Sequence, residues 1–159
     1  MTITRTKSRI KKTAEVFTPL ELVDEMLASL PRSTWSSDKT FLDNSAGDGN
    51  MLVRVVAWKV QRGSTVKQAL NTTYGVEYML DNTRRCRERL LETAETLDAS
   101  LQTMQQAREK YGAIVDRNIV CHDALTYHYR FDGTNDLSFG KKPYDSSKND
   151  NANKFFGEE

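Results

Sequence analysis

The stretch Phe41-Leu42-Asp43-Asn44-Ser45-Ala46-Gly47-Asp48-Gly49-Asn50 decides the fold of this chain. It starts apolar, turns polar and contains two glycines one residue apart, and the mostly apolar segment 51–60 follows it. This pattern predicts a strand, a tight turn and a helix. In an open α/β sheet such a turn lies at the carboxyl end of a strand, where ligands bind. Gly47 and Gly49 lack a Cβ, so the backbone there can adopt positive φ and approach a ligand closely.

Two glycines in a turn also occur in ordinary tight connections, so the spacing alone is a weak signal. The stretch differs from the common phosphate-binding loops. It lacks the third glycine of G-x-G-x-x-G and the lysine of a G-K-[ST] loop, which excludes the usual dinucleotide and nucleoside triphosphate motifs.

The bulk composition predicts one globular domain. A chain of 159 residues that is 38% hydrophobic is long enough to bury a core. The two cysteines, Cys86 and Cys121, have no metal-ligand spacing, so we expect free thiols, a reducing compartment and no metal site. No segment has the run of about 18 apolar residues that spans a membrane. No signal peptide is visible either, and we expect a cytoplasmic protein.

The first residues are strongly basic. Five lysines and arginines and no acidic residue fall within residues 1–12. Such an arm is either a flexible, solvated terminus or a segment that contacts phosphates, as in DNA. The sequence therefore predicts a flexible basic arm at residues 1–14, separate from the folded domain.

The remaining elements follow from periodicity. Thr18 to Glu21 reads as a capping box that starts a helix ending near Leu30, with an apolar face; that face is Leu22, Val23, Met26, Leu27 and Leu30. Strands are predicted at 40–44, 74–77, 118–125 and 136–140, and helices at 51–62, 81–97 and 101–113. The helix predicted at 81–97 has four arginines that are expected on a solvated face; they are Arg84, Arg85, Arg87 and Arg89.

Four motifs in order resemble the adenine-N6 DNA methyltransferases. The glycine stretch is similar to their D-P-x-x-G-x-G-N loop, with Asn44 in place of the proline. Residues 16–19, Val-Phe-Thr-Pro, resemble the F-x-T-P element that precedes this loop in the family. Residues 74–77, Tyr-Gly-Val-Glu, resemble its Y-G-x-E element, and residues 118–125 resemble the N-I-x-x-x-D-A/F-L element. The resemblance covers residues 15 to about 130.

The resemblance implies S-adenosylmethionine as the cofactor. It implies a pocket formed by Phe17, Thr18 and Pro19 over the methionine part and by Asp43, Ser45, Gly47, Gly49 and Asn50 in the loop. Glu77 would hold the ribose, since a carboxylate accepts hydrogen bonds from both hydroxyls. Tyr78 or Met79 would pack on the adenine ring. Asp123, with Ala124 beside it, would accept from the adenine amino group.

The catalytic tetrapeptide of that family, D/N-P-P-Y/F, is missing. Its first residue and a proline carbonyl accept from the target amine, and its aromatic residue stacks on the flipped base. Two segments compete for this position. Lys141-Lys142-Pro143-Tyr144 keeps a proline and the aromatic Tyr144, and residues 152–156 keep Asn153 and an aromatic residue. Asn153 and Tyr144 are the candidate catalytic residues, although lysine at position 141 offers donors only.

The sequence thus predicts a Rossmann-like, S-adenosylmethionine-dependent methyltransferase fold with a truncated, open parallel sheet of three or four strands. Residues 15–131 form the cofactor-binding domain, and residues 132–159 form a polar segment that composition marks as partly disordered. The first functional hypothesis is an adenine-N6 DNA methyltransferase that acts on DNA. The second is a non-catalytic S-adenosylmethionine-binding partner or regulatory subunit, and a third is methylation of another substrate through a divergent loop. A second copy or a partner subunit is expected to cover the open sheet edge.

Overall fold

The computed structural model describes residues 18–133. This range takes in most of the predicted cofactor-binding domain. The basic arm, Phe17, the predicted fourth strand at 136–140 and the candidate catalytic residues Tyr144 and Asn153 lie outside the described residues.

A parallel sheet of three strands forms the centre of the described fold. The strands are β1 (Phe41–Asp43), β2 (Thr73–Glu77) and β3 (Ile119–Cys121), in the spatial order β1-β2-β3. β1 pairs with β2 from Phe41 opposite Thr73, and β2 pairs with β3 from Gly75 opposite Ile119. Parallel neighbours require a crossover connection, and helices supply both crossovers. The chain is therefore an α/β protein with a small parallel sheet, as predicted.

Five α-helices and a short 3-10 helix at Arg32–Trp35 surround the sheet in the described part of the chain. The α-helices are α1 (Leu20–Ala28), α2 (Asn50–Gln61), α3 (Val66–Asn71), α4 (Leu80–Leu97) and α5 (Met104–Asn118). α2 and α3 connect β1 to β2, and α4 and α5 connect β2 to β3. Within residues 18–133, no helix has the length and apolar character that crossing a membrane requires.

The core lies between these helices and one face of the sheet. It joins α2, α4, α5 and β3 through side chains that are almost completely buried; among them are Leu52, Val56, Leu90, Leu91 and Ile119. A second cluster forms where α1 and the 3-10 helix pack on α2, around Val23, Leu27, Trp35 and Val55. Each Å2 of apolar surface removed from water stabilises the fold by roughly 25 cal/mol, so these contacts are the main stabilising term.

The segment after β3 packs against the other face of the sheet. Leu42 and Tyr74 are paired across β1 and β2, so their side chains share a face. The ring centroids of Tyr74 and Phe131 are 4.7 Å apart, and Phe131 also meets Tyr127 at 5.3 Å. This aromatic cluster covers the sheet near β2. Leu42 on β1 remains 52% exposed.

The predicted capping box at the start of α1 is wrong. The helix begins at Leu20, and Pro19 is its N-cap without a side-chain hydrogen bond, so no capping box forms at Thr18. Pro19 has φ −57° and ψ 146°, an extended conformation that places Thr18 outside the helix. The predicted apolar face is also only partly buried, because Val23 and Leu27 face α2 whereas Leu22 and Met26 are each 47% exposed.

The boundaries near β3 also differ from the expectation. α5 continues to Asn118, well beyond the predicted end at residue 113, and β3 occupies only Ile119–Cys121. The Asn118 amide explains the abrupt change from helix to strand. It donates to the carbonyls of Leu70 and Thr73, at 2.9 and 3.3 Å, and so joins the end of α5 to α3 and to the start of β2.

A buried lysine lies at the amino edge of the sheet. Lys59 of α2 has no exposed surface, and its Nζ donates to the carbonyl of Lys39 and to the Thr72 hydroxyl. Burial lowers the pKa of Lys59. The ammonium thus connects the residues that precede β1 and β2, at the edge opposite the glycine turn.

Candidate functional site

The predicted motifs meet at the carboxyl edge of the sheet. Asp43 ends β1 opposite Gly75, two residues before the end of β2. The chain after β1 stays beside β2, because the Ala46 N–H donates to the Val76 carbonyl at 3.0 Å. On the other side, the His122 N–H donates to the Glu77 carbonyl at 2.9 Å. The glycine turn, Glu77 and the residues after β3 therefore lie at one edge, as expected of a ligand site in an α/β sheet.

The glycine turn has the predicted backbone conformation. Gly47 has φ 54° and Gly49 has φ 91°, both in the region that residues with a Cβ avoid. Gly49 is the N-cap of α2, and its own N–H donates to the Ala46 carbonyl at 2.9 Å. The next N–H groups of α2 point out of the helix toward this edge, since the first turn of a helix has no internal acceptors for them.

Asp43 shapes the start of the turn. Its Oδ1 accepts from the Ser45 N–H at 3.0 Å. This is an Asx-type contact that favours a turn over continuation of the strand. Burial raises the pKa of the Asp43 carboxyl, although the Ser45 hydrogen bond opposes this shift. A partly buried carboxyl at a strand end is consistent with a site that is closed on one side.

Glu77 connects the glycine turn to the start of α4. The residue is 7% exposed. Its Oε2 accepts from the Gly47 N–H at 2.8 Å, and its Oε1 accepts from the Met79 N–H at 2.8 Å. The amide of Asn82, one turn into α4, approaches Oε1 at 3.4 Å. Ribose hydroxyls would have to join these donors or replace them, because a carboxylate has about four acceptor positions.

The Thr-Pro element lies beside the turn. The Asn50 side-chain amide donates to the Thr18 carbonyl at 2.9 Å. These residues are separated by 32 positions, and they belong to two motifs predicted independently. Thr18 and Pro19 therefore border the start of α2.

An arginine that the sequence assigned to a solvated face holds the turn instead. Arg89 Nη1 lies 3.0 Å from both the main-chain oxygen and the Oδ1 of Asp48, but only the main-chain oxygen receives a directed hydrogen bond. The Asp48 carboxylate is thus an ion-pair partner without a hydrogen bond at Oδ1. A sequence signal existed, because Arg89 follows the buried Cys86 by three positions and so shares its helix face.

The other arginines of α4 divide between core and solvent. Arg87 donates to the Ile119 carbonyl through Nε at 3.0 Å, so it ties α4 to β3 and is not on a solvated face. Arg85 does match the expectation, since it pairs with Glu88 and Glu92 on the exposed side of α4. The solvated-face prediction was therefore wrong for Arg87 and Arg89, whose neighbours along the helix are buried.

Cys86 forms the floor under the glycine turn. A Cβ placed on Gly49 would lie 2.8 Å from the Cys86 sulfur, so α4 packs directly against the turn. Burial raises the pKa of the Cys86 thiol to about 12. The thiol is therefore a packing group and not a nucleophile, because nucleophilic attack requires the thiolate. Both cysteines are free, as predicted.

The residues after β3 form a tight turn. Asp123 Oδ1 accepts from the Leu125 N–H at 2.9 Å, and the Ala124 carbonyl accepts from the Tyr129 hydroxyl at 2.8 Å. Tyr78, on the loop after β2, is 49% exposed, and its carbonyl accepts from the Cys121 thiol at 3.6 Å. Tyr78, Asp123 and Ala124 thus lie past the ends of neighbouring strands.

Three kinds of group lie together at this edge of the sheet. A glycine turn without Cβ atoms, a buried carboxylate at the end of the neighbouring strand and an exposed aromatic ring adjoin one another. No group of three residues that could hold a metal ion occurs within residues 18–133.

No protein-family model matches the sequence, and comparison with curated proteins and with solved structures found no significant match.

Proposed function

We propose that this chain binds S-adenosylmethionine at the carboxyl edge of a Rossmann-like sheet and is a DNA methyltransferase-like protein of the adenine-N6 type. The observation that carries the proposal is the hydrogen bond from the Asn50 amide to the Thr18 carbonyl. It joins the Thr-Pro element to the glycine turn, two motifs whose proximity no local sequence constraint requires.

Each part of the cofactor has a candidate partner. The glycine turn would receive the amino acid part, because N–H groups at the start of α2 favour a carboxylate. Glu77 would accept from the ribose hydroxyls, and Asp123 would accept from the adenine amino group. The ring of Tyr78 offers a flat apolar surface for the adenine.

The bound cofactor would supply an electrophilic methyl group on a sulfonium. The protein has to hold the acceptor amine in line with it and stabilise the positive charge that develops on the nitrogen. The candidates for this task, Asn153 and Tyr144, lie outside the described residues. Asn153 has an amide oxygen that can accept from an amine, whereas Lys141 has only donors.

A non-catalytic S-adenosylmethionine-binding subunit is the second candidate. The observation that favours it is the missing D/N-P-P-Y/F tetrapeptide. Within residues 18–133, β1 pairs with β2 alone, so backbone groups on its other edge can accept a further strand. A second copy or a partner chain that supplies such strands would complete the sheet. A divergent loop acting on another substrate is the third candidate.

A methyl-transfer assay on mixed duplex DNA with tritiated cofactor separates these candidates. We expect the isolated chain to bind cofactor but to transfer methyl groups slowly or not at all, because it lacks the acceptor of the family. Robust transfer by the wild type would contradict this expectation. If Asn153→Ala then abolished transfer and Lys141→Ala did not, the segment 152–156 would be the catalytic loop.

A further inference from the structure

A pocket opens at the end of α2 that is farthest from the glycine turn. Its volume is about 560 Å3, and its walls come from the end of α1, the 3-10 helix and the last turn of α2. α2 has 12 residues, so the pocket lies about 18 Å along the helix from the turn. It is therefore separate from the candidate cofactor site.

Two tryptophans form the aromatic wall of this pocket. The ring centroids of Trp35 and Trp58 are 5.1 Å apart, with the ring planes tilted by 43°. Trp35 is 5% exposed and stacks on Phe41 at 5.2 Å, so the core holds it in place. Trp58 lines the pocket beside it, and the guanidinium of Arg62 lies over its ring.

The charge of the pocket is positive. Arg32 and Arg62 line it together with Gln61 and apolar side chains, and no carboxylate is among the lining residues. Asp24, an acid of α1 outside the lining, is paired with Arg54, whose Nε donates to it at 2.7 Å. An anion that enters therefore meets two guanidinium groups without a competing acid.

Arg62 shows how a flat group binds here. Its guanidinium carbon lies 4.2 Å from the Trp58 ring centroid and 5.0 Å from the Trp35 centroid. One of its nitrogens donates to the Trp58 carbonyl at 3.3 Å. Arg62 is exposed, so its guanidinium can leave the indole, turn to a phosphate and let a base stack in its place.

We infer that this pocket binds a nucleotide, with the base on the Trp58 indole and the phosphate on Arg32 and Arg62. Bases stack on aromatic side chains, and arginine pairs with phosphate through two parallel N–H groups. The volume falls within the range for small-ligand pockets, about 300–1,000 Å3. The inference does not depend on the proposed function, since it uses none of the residues at the glycine turn.

The nucleotide has two sources with the same chemistry. It can be a free mononucleotide, or it can be one unit of a single-stranded nucleic acid whose neighbouring phosphates run over the surface. Adenosine monophosphate and a short oligodeoxyadenylate distinguish the two, because only the strand gains affinity from additional phosphates and loses it steeply with salt.

Tryptophan fluorescence tests the inference directly. The chain contains two tryptophans, and both line this pocket, so their emission reports on no other site. We expect saturable quenching by adenosine monophosphate, weaker binding of adenosine and weaker binding of inorganic phosphate. Arg62→Glu should weaken binding at least about tenfold, the loss expected for a charge-assisted contact. Lys67→Glu, on the exposed side of α3, is the control with the same charge change and should bind normally.

Two further, more conservative variants distinguish a loss of binding from a loss of folding. Arg62→Lys keeps the charge but not the planar fork and should bind with intermediate affinity, and Trp58→Phe keeps a smaller ring and should bind more weakly. Calorimetry replaces fluorescence for Trp58→Phe. No saturable change with adenosine monophosphate, equal affinity for adenosine, or unchanged binding in a folded Arg62→Glu would overturn the inference.

Discussion

Gly49 is the residue on which the shape of the turn depends most. It has φ 91°, and a Cβ there would lie 2.8 Å from the Cys86 sulfur and 3.3 Å from the Cys86 Cα. Gly63 provides a matched control, because it has φ 99° and no atom within 4 Å of an added Cβ. Alanine at either position incurs the positive-φ penalty of roughly 1–2 kcal/mol.

We expect Gly49→Ala to lower the free energy of unfolding by about 1–3 kcal/mol more than Gly63→Ala, the usual cost of overpacking. Urea unfolding of both variants measures the difference. Adding Cys86→Ala to Gly49→Ala removes the sulfur and should recover part of the loss. Equal destabilisation by the two single substitutions would show that α4 does not press on the turn.

Asp43 should make stability depend on pH. Its pKa is raised from 3.8 by burial, so the folded protein binds the proton more tightly than the unfolded chain does. The Asp43 carboxyl therefore contributes most to the stability of the fold below pH 3.8. The free energy of unfolding falls as the pH rises from there through the raised pKa of the folded state. Other carboxyl groups overlay this effect, so a variant is needed to isolate it.

Asp43→Asn isolates this contribution. Asparagine keeps an oxygen for the Ser45 N–H but has no charge to bury. We expect the variant to be more stable than the wild type at neutral pH, with the advantage shrinking toward acid pH. Urea unfolding at neutral and acid pH tests this. A difference between the two proteins that stays constant with pH would contradict the assigned cause.

At the scale of single elements, α2 joins both edges of the sheet. The glycine turn leads directly into the start of α2. Near the end of α2, Lys59 donates hydrogen bonds to Lys39 and Thr72, the residues ahead of β1 and β2. The buried ammonium was not evident in the sequence. A lysine in an amphipathic helix is ordinarily solvated, and only the positions of the Lys39 carbonyl and the Thr72 hydroxyl make burial acceptable.

Lys59→Ala should destabilise the protein by about 2–4 kcal/mol, because it leaves a cavity and removes the donor to the Lys39 carbonyl. Lys59→Met keeps the apolar stem and no longer buries a charge, so it should cost less. Thermal and urea unfolding of the two variants compare these costs. If methionine were as damaging as alanine, the hydrogen bonds and not the packing of the stem would dominate.

The sequence allowed the α/β class, the glycine turn and most element positions to be predicted. Positive φ at Gly47 and Gly49 was predicted because glycine is the residue that tolerates it without strain. The predicted helix start at Thr18 is wrong, because Pro19 adopts an extended conformation as the N-cap. Local motifs describe turns well, whereas the hydrogen bond from Gly47 to Glu77 depends on tertiary packing and has no local signal.

At the scale of the whole molecule, the described chain has two separate surfaces of interest. The carboxyl edge of the sheet brings together the Thr-Pro element, the glycine turn and Glu77. The far end of α2 carries the tryptophan and arginine pocket. Because both ends of one helix are involved, a ligand at either site contacts an element that is fixed in the core, and neither site requires the other to be occupied.

Calorimetric titration with S-adenosylmethionine tests the central claim most directly. We expect saturable binding by the wild type, with Glu77→Ala and Asp123→Ala each weaker by about 1–3 kcal/mol, the cost of removing one hydrogen-bonding partner. Gly47→Val should bind more weakly still, because a β-branched residue cannot adopt a backbone φ of 54° without strain. Lys67→Glu should bind like the wild type. No heat of binding at high micromolar cofactor by the folded protein, or full affinity in both alanine variants, would contradict the assignment of this edge as the cofactor site.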